Sequence, residues 1–461
     1  MNFTLLAIKW GEVGLVVAQL LLSLSILVVL HEFGHYITAK WFKCRVEKFY
    51  LFFDPWFSLF KKKVGETEYG VGWLPLGGYV KISGMVDESM DKDQMKLPPQ
   101  PHEFRSKPAW QRLIIMLGGV TVNIIVAFII YAGILMVWGE KKVPADSLKQ
   151  GIAFNDPVFK DLGFKNGDNI IAIDGKPVDD YQDVLKKLIV VDKDVTIVRD
   201  GKQQNLAMPV DLIGQLIEKR KKSETPLLSP RAPAIVVMVT DTSVAGKAGL
   251  KNGDQIVKVD STPVTFNDEL TAYTSSKKQN DKITLQVKRK DSLVNIQTTL
   301  LEGSRIGFLP PIYIEDLDSM KLISYTVTKY GFFAAIPAGI SKAGTELKSY
   351  IDQFKKILSP KTGGYKGLSG FKGMASVFNK YEWDWERFWT MTAFFSVVLA
   401  FMNLLPIPAL DGGHVLFTLG EMITGRKPNE KFLEYAQIVG MVILLALMLY
   451  ANGNDWFGWG K

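Results

Sequence analysis

Between Val13 and Leu30 the chain carries no charged residue. Lipid offers no hydrogen-bond partner to a backbone amide, so a run of this length is restricted to a helix that satisfies its own backbone. The next five residues are His31-Glu32-Phe33-Gly34-His35. If the helix continues, residues four apart share one face. His31 and His35 can then aim imidazole nitrogens at one metal ion, and Glu32 lies close enough to take a proton from a water beside it. Ionisable groups in such a segment are costly and point to function. A lone histidine on a helix is more often structural. This chain, however, has only four histidines (His31, His35, His102 and His414), and two of them fall in this pattern.

The remainder suits a protein partly in lipid. Of its 461 residues 47% are hydrophobic, and the net charge of +8 is unevenly placed. Basic residues crowd between Lys40 and Arg112, among them Arg45, Lys61, Lys62, Lys63 and Lys107. Basic residues beside a span mark the cytoplasmic side. A nucleic-acid partner is not expected, because this charge abuts apolar spans and shows no recognition motif. The single cysteine, Cys44, excludes an internal disulfide and a cysteine-based metal site. The start reads as an uncleaved span rather than a signal peptide. Lys9 is the only basic residue ahead of it, and no small-residue cleavage site follows Leu30.

Apolar stretches predict four spans, near Val13–Ile37, Leu113–Trp138, Trp389–Leu405 and Tyr435–Tyr450. The loop from Lys40 to Arg112 then lies inside, the region Gly139–Arg387 outside, and the loop with Arg426, Lys427 and Lys431 inside. In the first loop, Glu68–Ser83 mixes aromatic and branched residues with glycines and reads as short strands with tight bends. The aromatic run Phe49–Phe60 is expected to be buried at the membrane edge, and Met85–Pro101 to be a solvated linker.

The outer region holds a repeat. Gly163-Phe-Lys-Asn-Gly-Asp-Asn-Ile-Ile-Ala-Ile-Asp-Gly-Lys-Pro-Val178 matches Gly249-Leu-Lys-Asn-Gly-Asp-Gln-Ile-Val-Lys-Val-Asp-Ser-Thr-Pro-Val264. In each copy a Gly-Asp turn enters an alternating strand, and helical and strand patterns follow (Tyr181–Leu188 and Val195–Arg199; Asn267–Ser275 and Lys282–Arg289). Glu218–Pro233 is the expected junction. Apolar residues at helical spacing over Lys321–Lys356 predict a connecting, partly interfacial helix. Lys361–Gly373 reads as a loop, and Trp383, Trp385 and Trp389 mark a membrane boundary.

Asn403-Leu-Leu-Pro-Ile-Pro-Ala-Leu-Asp411-Gly-Gly-His414 closes the third predicted span. H-E-x-x-H on a helix is the arrangement of zinc peptidases, and two histidines leave the ion short of a third protein ligand. Asp411 can supply it, His414 competes, and an Asp capping a new helix is the structural alternative. Asn403 can donate to a substrate backbone or simply end its helix.

Together these motifs resemble the site-two proteases, membrane-embedded zinc metalloproteases, with the likeness strongest to the bacterial sigma-E-regulating members. Leu76-Gly-Gly-Tyr-Val-Lys81 and Phe104–Arg112 also look like the family, and the two repeats resemble bacterial PDZ domains. The resemblance implies Zn2+ held by His31, His35 and Asp411, with Glu32 as acid and base. It implies an active site near the cytoplasmic face of a bacterial inner membrane and PDZ domains in the periplasm that contact the outer part of the substrate. The substrate would be a single-span membrane protein, such as a pre-trimmed anti-sigma factor in envelope stress signalling, or a remnant signal peptide. Two departures stand out. Tyr50–Pro55 replaces the family's Gly-x-Gly loop, and Gly119-Val120, followed by Asn123, replaces its Gly-Pro before an Asn.

The expected fold is therefore a polytopic α-helical membrane protein of about four spans, with a small membrane-associated β element and two extracytoplasmic PDZ-like α+β domains. Expected segments are 1–40 (first span), 41–112 (β region and linker), 113–138 (second span), 139–225 and 226–310 (the PDZ-like pair), 311–385 (connecting helices), 386–434 (third span with Asp411) and 435–461 (fourth span and tail). Strands near Tyr69–Ile82, with Gly77, Gly78 and Tyr79 as candidate contacts, are expected to pair with an unwound substrate. The competing reading is a catalytically inactive membrane scaffold or chaperone. A serine protease lacks its nucleophile motif, because Gly367-Leu-Ser-Gly-Phe371 is not G-x-S-x-G.

Overall fold

The computed structural model describes residues 10–85, 98–219, 226–311 and 314–460. Lys9, most of the linker expected over Met85–Pro101 and the middle of the Glu218–Pro233 junction lie outside the described residues. The chain forms two compact units. One comprises the residues up to Gly139, Lys329–Phe354 and Leu368 onward; the other comprises Glu140–Thr328 and Lys355–Gly367.

The first unit contains helices α1 (Trp10–Trp41), α2 (Ala109–Val137), α3 (Phe332–Leu358) as far as Phe354, α4 (Trp385–Leu404), α5 (Asp411–Thr424) and α6 (Glu430–Phe457). Among the described residues four helices, α1, α2, α4 and α6, are long and apolar enough to cross a membrane. α4 and α6 start ahead of their apolar stretches because polar residues cap them early. Asp384 accepts from the Arg387 amide at 3.0 Å, and Asn429 accepts from the Lys431 amide at 2.9 Å.

α1 and α2 meet backbone to backbone. A methyl on Gly34 would lie 2.3 Å from the Gly118 carbonyl oxygen, and one on Gly118 would lie 2.5 Å from that of Gly34. Small residues are what permit such an approach in lipid, where no hydrophobic force drives helices together. Buried hydroxyls tie α4 in: Thr392 donates to Ser23 of α1 at 2.9 Å, and Ser396 donates to the Asn123 carbonyl of α2 at 2.7 Å.

Strands β1 (Val46–Val64) and β2 (Thr67–Ile82) fold back on each other. Lys48 to Leu51 face Glu68 to Val71 on one side and Lys81 to Gly78 on the other, while Ser58 to Val64 pair with Gly72 to Thr67. The outer edges of this sheet are thus 58–64 and 78–82. The aromatic run divides across it. Tyr50 is buried, but Trp56 is 91% exposed, and Phe57, Leu59 and Phe60 are each more than half exposed. The protein itself covers only part of the run, because a strand hides alternate residues and 54–57 make the bend, and the exposed aromatics are left for the membrane edge.

In the second unit the repeat becomes two sheets of equal order. The first is β6 (Lys176–Pro177), β5 (Asn169–Ile173), β7 (Asp194–Arg199) and β8 (Lys202–Ala207). The second is β11 (Thr262–Pro263), β10 (Gln255–Val259), β12 (Lys282–Arg289) and β13 (Ser292–Thr299). Each Gly-Asp turn is pinned alike: Asp168 pairs with Arg199 at 2.6 Å and Asp254 with Arg289 at 2.7 Å. Each sheet covers its own core, one around Phe154 and Ile170, the other around Ile256 and Leu285.

Two expectations change here. Leu228–Pro230, within the expected junction, forms β9 and pairs with β4 (Ile152–Phe154) of the first repeat. The expected helix over Lys321–Lys356 begins only at Phe332. Thr326–Thr328 instead forms β14 and pairs with β3 (Glu140–Lys142), while Leu317 and Ile323 pack into the first repeat's core. Thr-Val-Thr favours a strand, and apolar spacing alone does not separate the two periods over so short a stretch.

Candidate active site

His31, Glu32 and His35 lie on the last turns of α1. Asp411 reaches them through the turn after α4. Pro406 and Pro408 cannot donate backbone bonds, so the helix ends and Leu405–Leu410 reverse the chain. Asp411 then opens α5, where the helix N-terminus favours a carboxylate. A methyl on Gly412 would lie 2.2 Å from the Leu405 oxygen, and one on Gly413 2.7 Å from Pro408 Cα. The two glycines therefore let α5 start hard against the proline turn.

The result is a convergence of three ligand atoms. Asp411 Oδ2 stands 3.2 Å from Nε2 of His31 and 3.2 Å from Nε2 of His35, and the two nitrogens are 3.3 Å apart. His35 Nδ1 lies 2.8 Å from the Ile115 carbonyl, which can only accept, so its proton sits there and Nε2 presents a lone pair. Asp411 Oδ2 is buried and receives no hydrogen bond. Acceptors facing one another in a dry site call for a cation between them. Ligands about 2.0–2.1 Å from a tetrahedral zinc are about 3.3–3.4 Å apart, which is the spacing seen. The residues fit such an ion.

Glu32 lines the same cavity, together with Val80 of the edge strand. A methyl on Gly78 would touch Val28 at 2.7 Å and stand 3.5 Å from Glu32 Cγ, so only glycine lets the edge strand 78–82 lie this close to α1. Gly77, Gly78 and Tyr79 all line the cavity, which measures about 920 Å3. Tyr79 donates to Asp54 at 2.9 Å and stacks on Tyr50. Burial, together with Asp54 as acceptor, pushes its phenol above the ordinary value. Asn403 is placed at the cluster itself, with Nδ2 3.3 Å from His31 Nε2. His414 lines the cavity but is outside the three-residue cluster.

Three features carried no role in the sequence reading. Gly119 makes room for both rings, since a methyl there would lie 2.4 Å from His35 Nε2 and 2.5 Å from His31 Cε1. Asn123 Nδ2 is 3.2 Å from His31 Nδ1, and Gln437 of α6 lines the cavity. Asn123 and Gln437 are polar groups on apolar spans, the signal that could have marked them.

The sequence matches the peptidase family M50 over residues 19–447. The chain belongs to this family, the site-two proteases. It is 30% identical to the regulator of sigma-E protease of Escherichia coli, over 95% of this chain and 97% of that one. It is 28% identical to a putative zinc metalloprotease of Vibrio cholerae over 97% and 98% of the two chains, and 25% identical to another of Thermotoga maritima over 96% and 99%. The chain is an intramembrane peptidase, and nothing favours the scaffold reading.

Proposed function

We propose that this peptidase holds Zn2+ with His31, His35 and Asp411 and hydrolyses peptide bonds in or beside the membrane span of a single-span protein. The observation that carries the reading is the meeting of three ligand atoms within 3.3 Å of one another, two of them with Glu32 on a helix apolar enough to cross a bilayer and the third at the start of α5. When bound, zinc polarises the scissile carbonyl and makes a nearby water easier to deprotonate. Glu32 takes the proton of the attacking water and passes it to the leaving amine.

A helical substrate must unwind first, because its peptide groups are already bonded internally. The edge strand 78–82, with Gly77, Gly78 and Tyr79, offers backbone groups for strand addition. Asn403, at the rim of the cluster, donates to the extended substrate.

We assign the two repeated sheets to PDZ-like domains, expected at 139–225 and 226–310 with Leu228–Pro230 joining the first through β4, facing the periplasm and contacting the outer part of the substrate. The repeated strand order supports this. The basic loop from Lys40 to Arg112 supports an active site near the cytoplasmic side of a bacterial inner membrane. On the family resemblance the substrate we propose is a pre-trimmed anti-sigma factor in envelope stress signalling; a remnant signal peptide is the other candidate. The test is Glu32→Gln in membranes. It should keep its zinc, abolish cleavage and accumulate single-span fragments that name the substrate. Normal turnover by this variant defeats the assignment.

A further inference from the structure

We propose that Asn123 is a positioning residue for the metal centre: its side-chain oxygen takes the Nδ1 proton of His31 and so turns the Nε2 lone pair toward His35 and Asp411. The inference rests on the zinc reading above and adds a residue to it.

A neutral imidazole carries one proton. If Nε2 ligates a metal, Nδ1 bears that proton and needs an acceptor. For His35 the acceptor is the Ile115 carbonyl at 2.8 Å. For His31 the group facing Nδ1 is the Asn123 carboxamide at 3.2 Å. Asn123 follows Gly119 by one helical turn, so the residue that admits the rings and the residue that touches one of them share a face of α2. Its side chain is fully buried, and Ser396 of α4 pins its backbone carbonyl at 2.7 Å.

Only one of the two amide orientations serves a metal. With Nδ2 toward the ring, His31 must accept at Nδ1, its proton moves to Nε2 among the other ligands, and Asn123 Oδ1 is a buried acceptor with no partner. With the amide turned over, Oδ1 accepts from Nδ1–H and Nε2 is free to ligate. A carboxamide buried in an apolar helix is costly unless its bonds are used, which argues against a space-filling role.

The test uses the full-length protein in detergent, stripped of metal, with zinc affinity read by competition against a chromophoric chelator. Asn123→Leu keeps the volume and removes the acceptor; Asn123→Asp keeps an acceptor. Asn123→Leu should weaken zinc binding about 10–100-fold, and Asn123→Asp should stay within about threefold of wild type. Undiminished affinity in Asn123→Leu, or equal loss in both variants, overturns the proposal while leaving the zinc reading intact. A wild type that binds no zinc overturns the zinc reading and this one with it. Thermal unfolding of the metal-free proteins checks the fold; if Asn123→Leu does not fold, Asn123→Ala against Asn123→Asp makes the same contrast.

Discussion

Replacing Gly119 by alanine puts one methyl into the metal cluster. Its carbon would lie 2.4 Å from His35 Nε2 and 2.5 Å from His31 Cε1. Non-bonded atoms of this kind rest about 3.5 Å apart, so each ring must retreat by about 1 Å. The backbone of α1 cannot retreat with them away from Gly119 without opening the Gly34–Gly118 contact, so the rings must rotate off the shared point. A metal site tolerates about 0.2 Å in its ligand distances. The expected loss of zinc affinity is therefore at least the about 10–100-fold seen when an outer-shell partner is removed, with about 1–3 kcal/mol of overpacking in the metal-free protein. Gly133→Ala is the matched control, because the same helix leaves nothing within 4 Å of a methyl there. That change should be neutral or stabilise the helix by about 0.5–1 kcal/mol. The assay is bound zinc per protein at chelator-buffered free zinc, with thermal unfolding alongside. If Gly119→Ala holds zinc as Gly133→Ala does, the rings are not where this reasoning needs them.

Two further outcomes follow from the same geometry. Gly78→Val would drive a carbon to 2.7 Å from Val28 Cγ1 and 2.8 Å from the Tyr50 oxygen, pushing the edge strand off α1. Cleavage of a single-span substrate should fall about 10–100-fold with bound zinc unchanged, and wild-type cleavage would refute strand addition. In the second repeat, burial alone would push the Asp254 carboxyl up, but the Arg289 guanidinium and the Lys251 amide hold it below its ordinary value. A depressed folded-state value means the stabilisation is full above the unfolded value of about 3.9 and is lost as pH falls through the folded one. Arg289→Leu should cost about 3 kcal/mol at pH near 7 and less at pH near 3, read by urea unfolding with circular dichroism; equal losses at both would contradict the pairing.

Local pattern carried much of this architecture. Four apolar stretches stand as four long helices, and the Gly-Asp repeat reappears as two sheets of one strand order, because both signals are periodic within a single element. The pairing of His31 with His35 is equally local. Asp411 is different: nothing in its spacing connects it to the histidines, and only the ion's need for a third ligand and the family likeness joined them before the structure set it 3.2 Å away. For Phe49–Phe60 hydrophobicity does not say which residues the protein itself covers, and among them Tyr50 is buried while Trp56 is exposed. Thr326–Thr328 misled because its partner, β3, lies far back in the chain. Gly119 and Asn123 stood out only as a variant of the family's second-span motif, with no role attached, since their work is done on a neighbouring helix.

The glycines explain why the site can be rigid in lipid. Gly34 with Gly118 and Gly119 sets the α1–α2 approach, Gly412 and Gly413 seat α5 on the proline turn, and Gly78 brings the edge strand to Glu32. At Gly34, Gly118, Gly412 and Gly413 backbone meets backbone, at Gly119 it meets the imidazole rings, and at Gly78 it meets Val28 and the Tyr50 carbonyl, so close main-chain contacts frame the ligand set. A site built this way does not open to admit a helix, and in the proposed mechanism the substrate changes instead. Each unwound peptide group left bare in lipid would cost several kcal/mol. Pairing with 78–82 exchanges an intrahelical bond for a strand bond, which brings that cost down to the mismatch between the two. The edge strand is then as necessary to intramembrane hydrolysis as the ligands, because it makes the extended backbone that Glu32 and the metal act on affordable in a medium without water.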